Sequence, residues 1–223
     1  MSEITFGVWE GKVYTRQDAP TPDNEHTLAV HTPPMEQITE YEPGNKILAV
    51  MGWDGFFVYD DRVDLIDMAR AYMQVVQGES CGKCVPCREG TLRMLEILER
   101  ITEGKGEMHD LDKLERLGKL IQKTSLCGLG QTAPNPVLSA LENFREEFVT
   151  HIHDKQCPAH KCAQLIRYEI NADKCTGCTL CARRCPVSCI AGSPRQPHLI
   201  DQSQCIKCGE CFNVCKFDAV MRV

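Results

Sequence analysis

Fifteen cysteines in 223 residues are the groups of this chain best suited to chemistry, and they are clustered rather than scattered. Eight form two near-copies of one pattern, Cys175-x2-Cys178-x2-Cys181-x3-Cys185 and Cys205-x2-Cys208-x2-Cys211-x3-Cys215, offset by 30 residues. Upstream, Cys81-x2-Cys84-x2-Cys87 forms a third triplet, and Cys127 stands alone in Ser125-Leu126-Cys127-Gly128-Leu129-Gly130. A cubane iron–sulfur cluster has four iron corners, each needing a thiolate. One C-x2-C-x2-C loop can reach three corners while its backbone N–H groups point at the sulfides, and the fourth ligand comes from elsewhere. Three sets of four thiolates therefore suit three [4Fe–4S] clusters, whose chemistry is one-electron transfer. The competing metal is zinc. Structural zinc sites use C-x2-C pairs that are usually well separated, a poor match to triplets followed by a fourth cysteine at x3.

These ligands need elements to position them. Residues 61–152 read as four helices. Leu65, Ile66, Ala69, Tyr72, Met73 and Val76 recur at helical spacing in the first. Leu92, Leu95, Leu98 and Ile101 mark the second, which follows Cys87 and stops at Gly104. Asp110 is the expected N-cap of the third, which buries Leu111, Leu114, Leu117 and Ile121. Pro136 opens the fourth, with Val137, Leu138, Leu141, Phe144 and Phe148 as its stripe. Cys81, Cys84 and Cys87 are then expected in the loop between the first two helices, and Cys127 in the loop between the last two. Loops at one end of an up-down bundle can converge on one cluster. In the repeat, each copy is expected to hold three cysteines in a tight loop and a fourth at the start of a short helix. Ile170 and Ile200 precede these loops in short strands.

Residues 1–60 say least. Residues 4–9 and 12–15 flank Glu10-Gly11 as a hairpin would, and residues 46–51 and 56–59 read as short strands. Pro20 to Pro34 reads as loop, and His26 and His31 as surface residues. The expected fold class is α+β: a small β-rich region at 1–60, a helical [4Fe–4S] domain (a four-helix bundle) at 61–155, and a bacterial-type 2[4Fe–4S] ferredoxin domain at 156–223.

Bulk properties narrow the function. The formal charge of −6 opposes bulk nucleic-acid binding. There is no apolar run long enough for a bilayer and no secretory signal after Met1-Ser2-Glu3. Dense C-x2-C triplets in such a chain point to metal rather than disulfides, hence to a cytoplasmic protein from a reducing, anaerobic setting.

Glu79-Ser80-Cys81-Gly82-Lys83-Cys84-Val85-Pro86-Cys87-Arg88-Glu89-Gly90 and the run from Ser125 to Pro136 carry a resemblance. They resemble the iron–sulfur domain of the NADH-binding flavoprotein subunit of respiratory complex I. Joined to a C-terminal two-cluster ferredoxin, the arrangement is closer to the beta subunits of NAD-linked, often electron-bifurcating, hydrogenases and formate dehydrogenases. The resemblance runs from about residue 46 to the end. In two-cluster ferredoxins the fourth cysteine of each run serves the other cluster. The likeness thus implies one cluster on Cys175, Cys178, Cys181 and Cys215, and another on Cys205, Cys208, Cys211 and Cys185. Pro186 follows Cys185 as the pattern expects, whereas Lys216 replaces the second proline. No strand–G-x-G-x-x-G–helix unit is visible, so neither FMN nor NAD is expected on these residues.

The same likeness extends to the junction. A His…C-P-x3-C run, here His151 with Cys157 and Cys162, implies a zinc site in such subunits, with Asp64 standing where a cysteine is common. The alternative is a pair of reduced, buried thiols. Cys189 reads as a small packing residue beside a cluster. Lys83, Arg88, Arg183, Arg184 and Lys207 would either tune the clusters and dock a partner, or simply face water.

The expected function is an electron-relay subunit of a multisubunit oxidoreductase, with no acid–base residue of its own. Its partners would be a flavin- or NAD(P)H-binding subunit and a catalytic subunit of hydrogenase, formate dehydrogenase, tungsten or molybdenum type, with soluble ferredoxin as a further acceptor. The alternatives are a free, diffusible ferredoxin-like carrier and, less in keeping with the spacing, a zinc-based interaction module.

Overall fold

The computed structural model describes residues 5–15, 40–42, 45–46 and 48–223. The expected loop from Pro20 to Pro34, with His26 and His31, lies outside them. Strands β1 (Phe6–Trp9) and β2 (Lys12–Thr15) form a hairpin, paired Val8 to Val13 and Trp9 to Lys12. Its two turn residues, Glu10 and Gly11, both have positive φ, 48° and 76°. That conformation matches the turn to the twist of the strands. A short pair, β3 (Glu40–Glu42) and β4 (Asn45–Lys46), stands apart. Strands β5 (Ala49–Gly52) and β6 (Gly55–Val58) complete a four-stranded antiparallel sheet ordered β2-β1-β6-β5.

The sheet does not stand alone. Val8, Phe56 and Val58 from one face share a continuous core with Leu65, Ile66, Ala69, Met73, Met94, Leu98, Leu111, Leu114 and Phe148. The other face holds Trp9 stacked on Phe57 at 5.5 Å, beside Tyr14 and Tyr59. Packing against the helices gives the short hairpins the buried surface that isolated ones lack.

The helical part runs α1 (Leu65–Glu79), α2 (Val85–Thr102), α3 (His109–Thr124), α4 (Gly128–Thr132), α5 (Asn135–Asn143) and α6 (Arg145–Val149), then a π-helical turn at Thr150–Asp154. The expected fourth helix is thus two helices and a π turn. The break falls at Phe144, with φ −131° and ψ 40°, where the ring packs against Phe6 (4.9 Å) and Phe56 (5.8 Å) of the sheet. Tertiary packing overrides a continuous helical stripe. Asp110 is not the N-cap of α3. It lies inside the first turn, its buried carboxylate accepting from Glu107 N–H at 3.0 Å and paired with Arg100.

The C-terminal segment has little regular structure: β7 (Tyr168–Ile170) with β10 (Val220–Arg222), β8 (Ile190–Ala191) with β9 (Leu199–Ile200), and two helical turns, α7 (Leu180–Arg184) and α8 (Glu210–Asn213). Its core is a small group of buried residues, Cys189 and Cys211 among them, with Cys181, Cys185, Cys205 and Cys215 packed around it. Two-stranded ladders over so small a core are marginal by themselves. Among the described residues no helix is long and apolar enough to cross a membrane.

Candidate iron–sulfur and metal sites

The repeat in sequence is a repeat in backbone. Gly177 and Lys207 (φ 67° and 59°), Thr179 and Gly209 (63° and 78°), and Ser188 and Asp218 (53° and 47°) take matching left-handed conformations at equivalent places in the two copies. Such alternation curls each C-x2-C-x2-C loop and turns its N–H groups inward. At Gly177 the turn also runs against another backbone, since a Cβ there would collide with the Gln196 amide nitrogen. The fourth cysteines are placed differently from expectation. Cys185 follows α7 and Cys215 follows α8, while the third cysteines, Cys181 and Cys211, sit within those helices. A helix of one turn suffices to carry the chain from the third ligand across to the other half.

That crossing is visible in two cavities. One is lined by Cys175, Cys178, Cys181 and Cys215. The other is lined by Cys205, Cys208, Cys211 and Cys185. Burial opposes the thiolate of Cys185, but N–H groups of Cys189, Val187 and Ser188 outweigh it and hold the thiol below its usual range. Cys215 is treated alike by the N–H groups of Phe217, Ala219 and Val220. Lys207 N–H donates to Cys205 Sγ at 3.4 Å. Apolar walls, four thiols and inward N–H groups fit an anionic, sulfur-bridged cluster. His198, 4% exposed, lines the first cavity, and its Nε2 is buried without a hydrogen-bond partner.

In the helical part, Cys81 and Cys84 lie in the expected loop, Cys84 as the extended N-cap of α2, while Cys87 lies in the first turn of that helix. The change has a physical reason: Pro86 favours the first helical turn, and starting the helix at Val85 aims its N–H groups at the ligand loop. Cys127 is the N-cap of α4 and is exposed. Gly130 brings the two segments together, because a Cβ there would lie 3.2 Å from that of Cys87 and 2.5 Å from Ser125 Oγ. Only glycine permits that approach. Cys87 Sγ is 3.4 Å from Ser80 Oγ, and Ser125 Oγ is buried with no partner beside it. An orphaned hydroxyl next to clustered thiols fits a sulfur-rich group at this point. Arg88 is turned back, donating to Gly82 O at 2.6 Å and pairing with Glu89. Lys207 likewise donates to Gln164 O.

The third site is of another kind. Asp64, His151, Cys157 and Cys162 are all buried, and their ligand atoms lie within 4.8 Å of one another. Among the described residues this is the one group of His, Cys, Asp or Glu side chains that converges so closely. Asp64 caps α1, accepting from Asp67 N–H at 2.6 Å. The π turn places His151 Nε2 2.7 Å from Asp64 Oδ2, without hydrogen-bond alignment, while Nδ1 meets Glu147 O at 2.8 Å. Cys157 Sγ lies 3.3 Å from Asp64 Oδ2 and receives the N–H groups of Lys161 (3.2 Å) and Cys162 (3.4 Å). The Cys162 thiol donates toward Cys157, which pulls Cys157 down and pushes Cys162 up. Burial would lower His151, yet Asp64 and Cys157 outweigh it and raise the imidazole to about 10. Two thiols, a carboxylate and an imidazole oriented by a carbonyl match a four-coordinate zinc site with its outer hydrogen bond in place.

Sequence reasoning did not single out Ser80, Ser125 or His198. Hydroxyls and a histidine carry no spacing signal, although each sits close in sequence to a ligand or to the ligand loops.

Comparison with known proteins agrees with this layout. Residues 67–151 match the NADH-ubiquinone oxidoreductase-F iron–sulfur binding region, and residues 168–191 and 198–221 match the 4Fe-4S binding domain. The chain is 44% identical over 183 residues to the NADP-reducing hydrogenase subunit HndC of Solidesulfovibrio fructosivorans, covering 82% of this chain and 37% of the relative. It is 38% identical over 154 residues to the NADP(+)-dependent formate dehydrogenase subunit beta of Moorella thermoacetica, covering 69% and 20%. It is 39% identical over 123 residues to the NADPH-Fe(3+) oxidoreductase subunit beta of Geobacter sulfurreducens (strain DL-1 / KN400), covering 55% and 18%. The chain thus spans little more than a third, or less, of these relatives' lengths. Residues 67–151 thus carry an NADH-ubiquinone oxidoreductase-F iron–sulfur binding region, and residues 168–191 and 198–221 a 4Fe-4S binding domain.

Proposed function

We propose that this chain is an electron-relay subunit of a multisubunit oxidoreductase, holding three [4Fe–4S] clusters and one zinc ion. The observation that carries the reading is the pair of cavities, each lined by three cysteines of one repeat and the fourth of the other. Cys175, Cys178, Cys181 and Cys215 would hold one cluster, Cys205, Cys208, Cys211 and Cys185 the second, and Cys81, Cys84, Cys87 and Cys127 the third. When bound, such clusters accept and donate single electrons.

The protein's part is to hold the ligand thiolates, to direct N–H groups at them and to keep water away. The N–H groups around Cys185 and Cys215 favour the charged sulfur, and the apolar walls lower the local dielectric. Zinc on Asp64, His151, Cys157 and Cys162 would tie α1 and the π turn to the Cys157–Cys162 loop, a structural role that needs no open coordination position. Exposed Cys81 and Cys127, beside exposed Val85 and Leu126, support a partner docking at the helical cluster. The matched relatives are named as subunits of a hydrogenase, a formate dehydrogenase and an NADPH-Fe(3+) oxidoreductase. That supports partner subunits, which on this reading are a flavin- or NAD(P)H-binding chain and a catalytic one in the cytoplasm, with soluble ferredoxin as a further acceptor.

Anaerobic purification of the tagged chain from its own cells tests this. A stable, stoichiometric complex containing a flavin-bearing or catalytic oxidoreductase chain is expected. A monomer that shuttles electrons between separate enzymes would overturn the subunit reading in favour of a diffusible carrier.

A further inference from the structure

Within residues 168–221, the two ferredoxin-like repeats carry one cysteine beyond their eight ligand candidates. Cys189 is 5% exposed, lines the same cavity as Cys185, Cys205, Cys208 and Cys211, and places its Sγ 3.5 Å from Cys185 Sγ. The internal repeat supplies a built-in reference. In the second copy the equivalent position is Ala219, 2% exposed and lining the other cavity. The backbone holds the two fourth cysteines in similar ways. Each follows a short helix, each receives three backbone N–H groups from the segment two to five residues ahead, and each is followed by a left-handed residue, Ser188 or Asp218. The side chain at 189 against 219 is therefore a clear difference between two repeated sulfur environments.

The direction of the contact follows from chemistry. A cluster ligand is a thiolate, so Cys185 can only accept, and Cys189 must be the donor. A hydrogen bond to a ligand sulfur offsets negative charge there, and that charge grows on reduction. The bond is worth more in the reduced state, which raises the reduction potential. We propose that the Cys189 thiol donates a hydrogen bond to Cys185 Sγ and so raises the potential of the cluster held by Cys185, Cys205, Cys208 and Cys211. This rests on the crossed ligand sets proposed above. Cys189 is then a positioning residue rather than a ligand, and it makes the two halves of a repeated domain electrochemically unequal.

The test is an EPR-monitored redox titration of the full chain, purified anaerobically, with iron analysis of each variant. Cys189→Ala installs the residue its counterpart already has, so the fold is expected to survive. It should keep its iron and move one wave to lower potential, by a shift on the order of 59 mV, the one-electron equivalent of a tenfold change. Cys189→Ser, which keeps a donor, should recover part of that shift, and Ala219→Cys should move the other wave upward. Unmoved waves in both Cys189→Ala and Ala219→Cys, with iron intact, would overturn the inference. Loss of a cluster in Cys189→Ala would overturn it too, by making Cys189 a ligand. A wild-type chain without iron would instead refute the ligand sets on which the inference stands.

Discussion

The carboxylate of Asp64 lies 2.7 Å from the imidazole of His151, joining the cap of α1 to the π turn that ends the helical part. Both side chains are buried, with 1% and 0% exposure, and two thiols share the space. A buried charge pair of this kind is costly to break, and a metal ion would satisfy all four groups together.

Zinc analysis is the first check. The whole chain should contain about one zinc. Cys157→Ser should lose it while iron stays unchanged. His151→Ala should lose it and also destabilise the fold by about 3–5 kcal/mol, because Asp64 is left buried and unmatched. Full iron with no zinc in the wild-type chain would leave the pair Cys157 and Cys162 as reduced core thiols.

Crossed ligation predicts a pattern of non-additive losses. Cys185→Ala alone should cost about four irons, one cubane. Combined with Cys205→Ala it should cost no more, since both serve one cluster. Combined with Cys175→Ala it should cost about eight. The reverse pattern, in which the Cys205→Ala pairing costs two clusters and the Cys175→Ala pairing one, would mean that each run binds its own cluster.

Gly130→Ala should damage the helical site selectively. The added methyl would stand 2.5 Å from Ser125 Oγ and 3.2 Å from the Cβ of Cys87, so α4 must move away from α2. Overpacking of this sort costs about 1–3 kcal/mol, and Cys127 would be carried off with the helix. The expected result is loss of about four irons with both ferredoxin-type signals retained in the EPR spectrum.

Asp110 gives a pH dependence with a definite sign. Burial opposes its charged form, but the Glu107 N–H and the Arg100 guanidinium outweigh it and hold the carboxyl below its usual range. A depressed folded-state pKa means that the unfolded chain binds more protons in that window. The contribution is therefore complete above about pH 4 and is lost as the pH falls through the folded-state value. Arg100 is 41% exposed, so screening trims the pair. Asp110→Asn should cost about 1–3 kcal/mol near neutral pH. Guanidinium unfolding followed by circular dichroism should show the gap to wild type narrowing below about pH 4.

The repeated cysteine loops were legible in the sequence because cysteine spacing is a local, covalent property. Cys175 to Cys185 and Cys205 to Cys215 announce a repeated loop before any fold is known, and the helical stripe from Leu65 to Val76 lies in α1. What could not be read depends on tertiary contact. Phe144 breaks the fourth stripe because Phe6 and Phe56 claim its ring. Asp110 gives up its capping position for Arg100 on the preceding helix. Pro86 pulls the start of α2 forward, so that Cys87 belongs to the helix and Cys84 caps it. Cys189 read as packing, and its burial fits that, but the 3.5 Å approach to Cys185 is set by the turn between them rather than by its residue type.

The most direct test of electron transfer is spin quantitation by EPR on the whole chain, purified anaerobically and reduced with dithionite, alongside its iron content. Three cubane clusters should yield about twelve irons per chain and signals from three one-electron centres. A colourless chain that carries zinc without iron and gives no EPR signal on reduction would contradict the electron-relay reading.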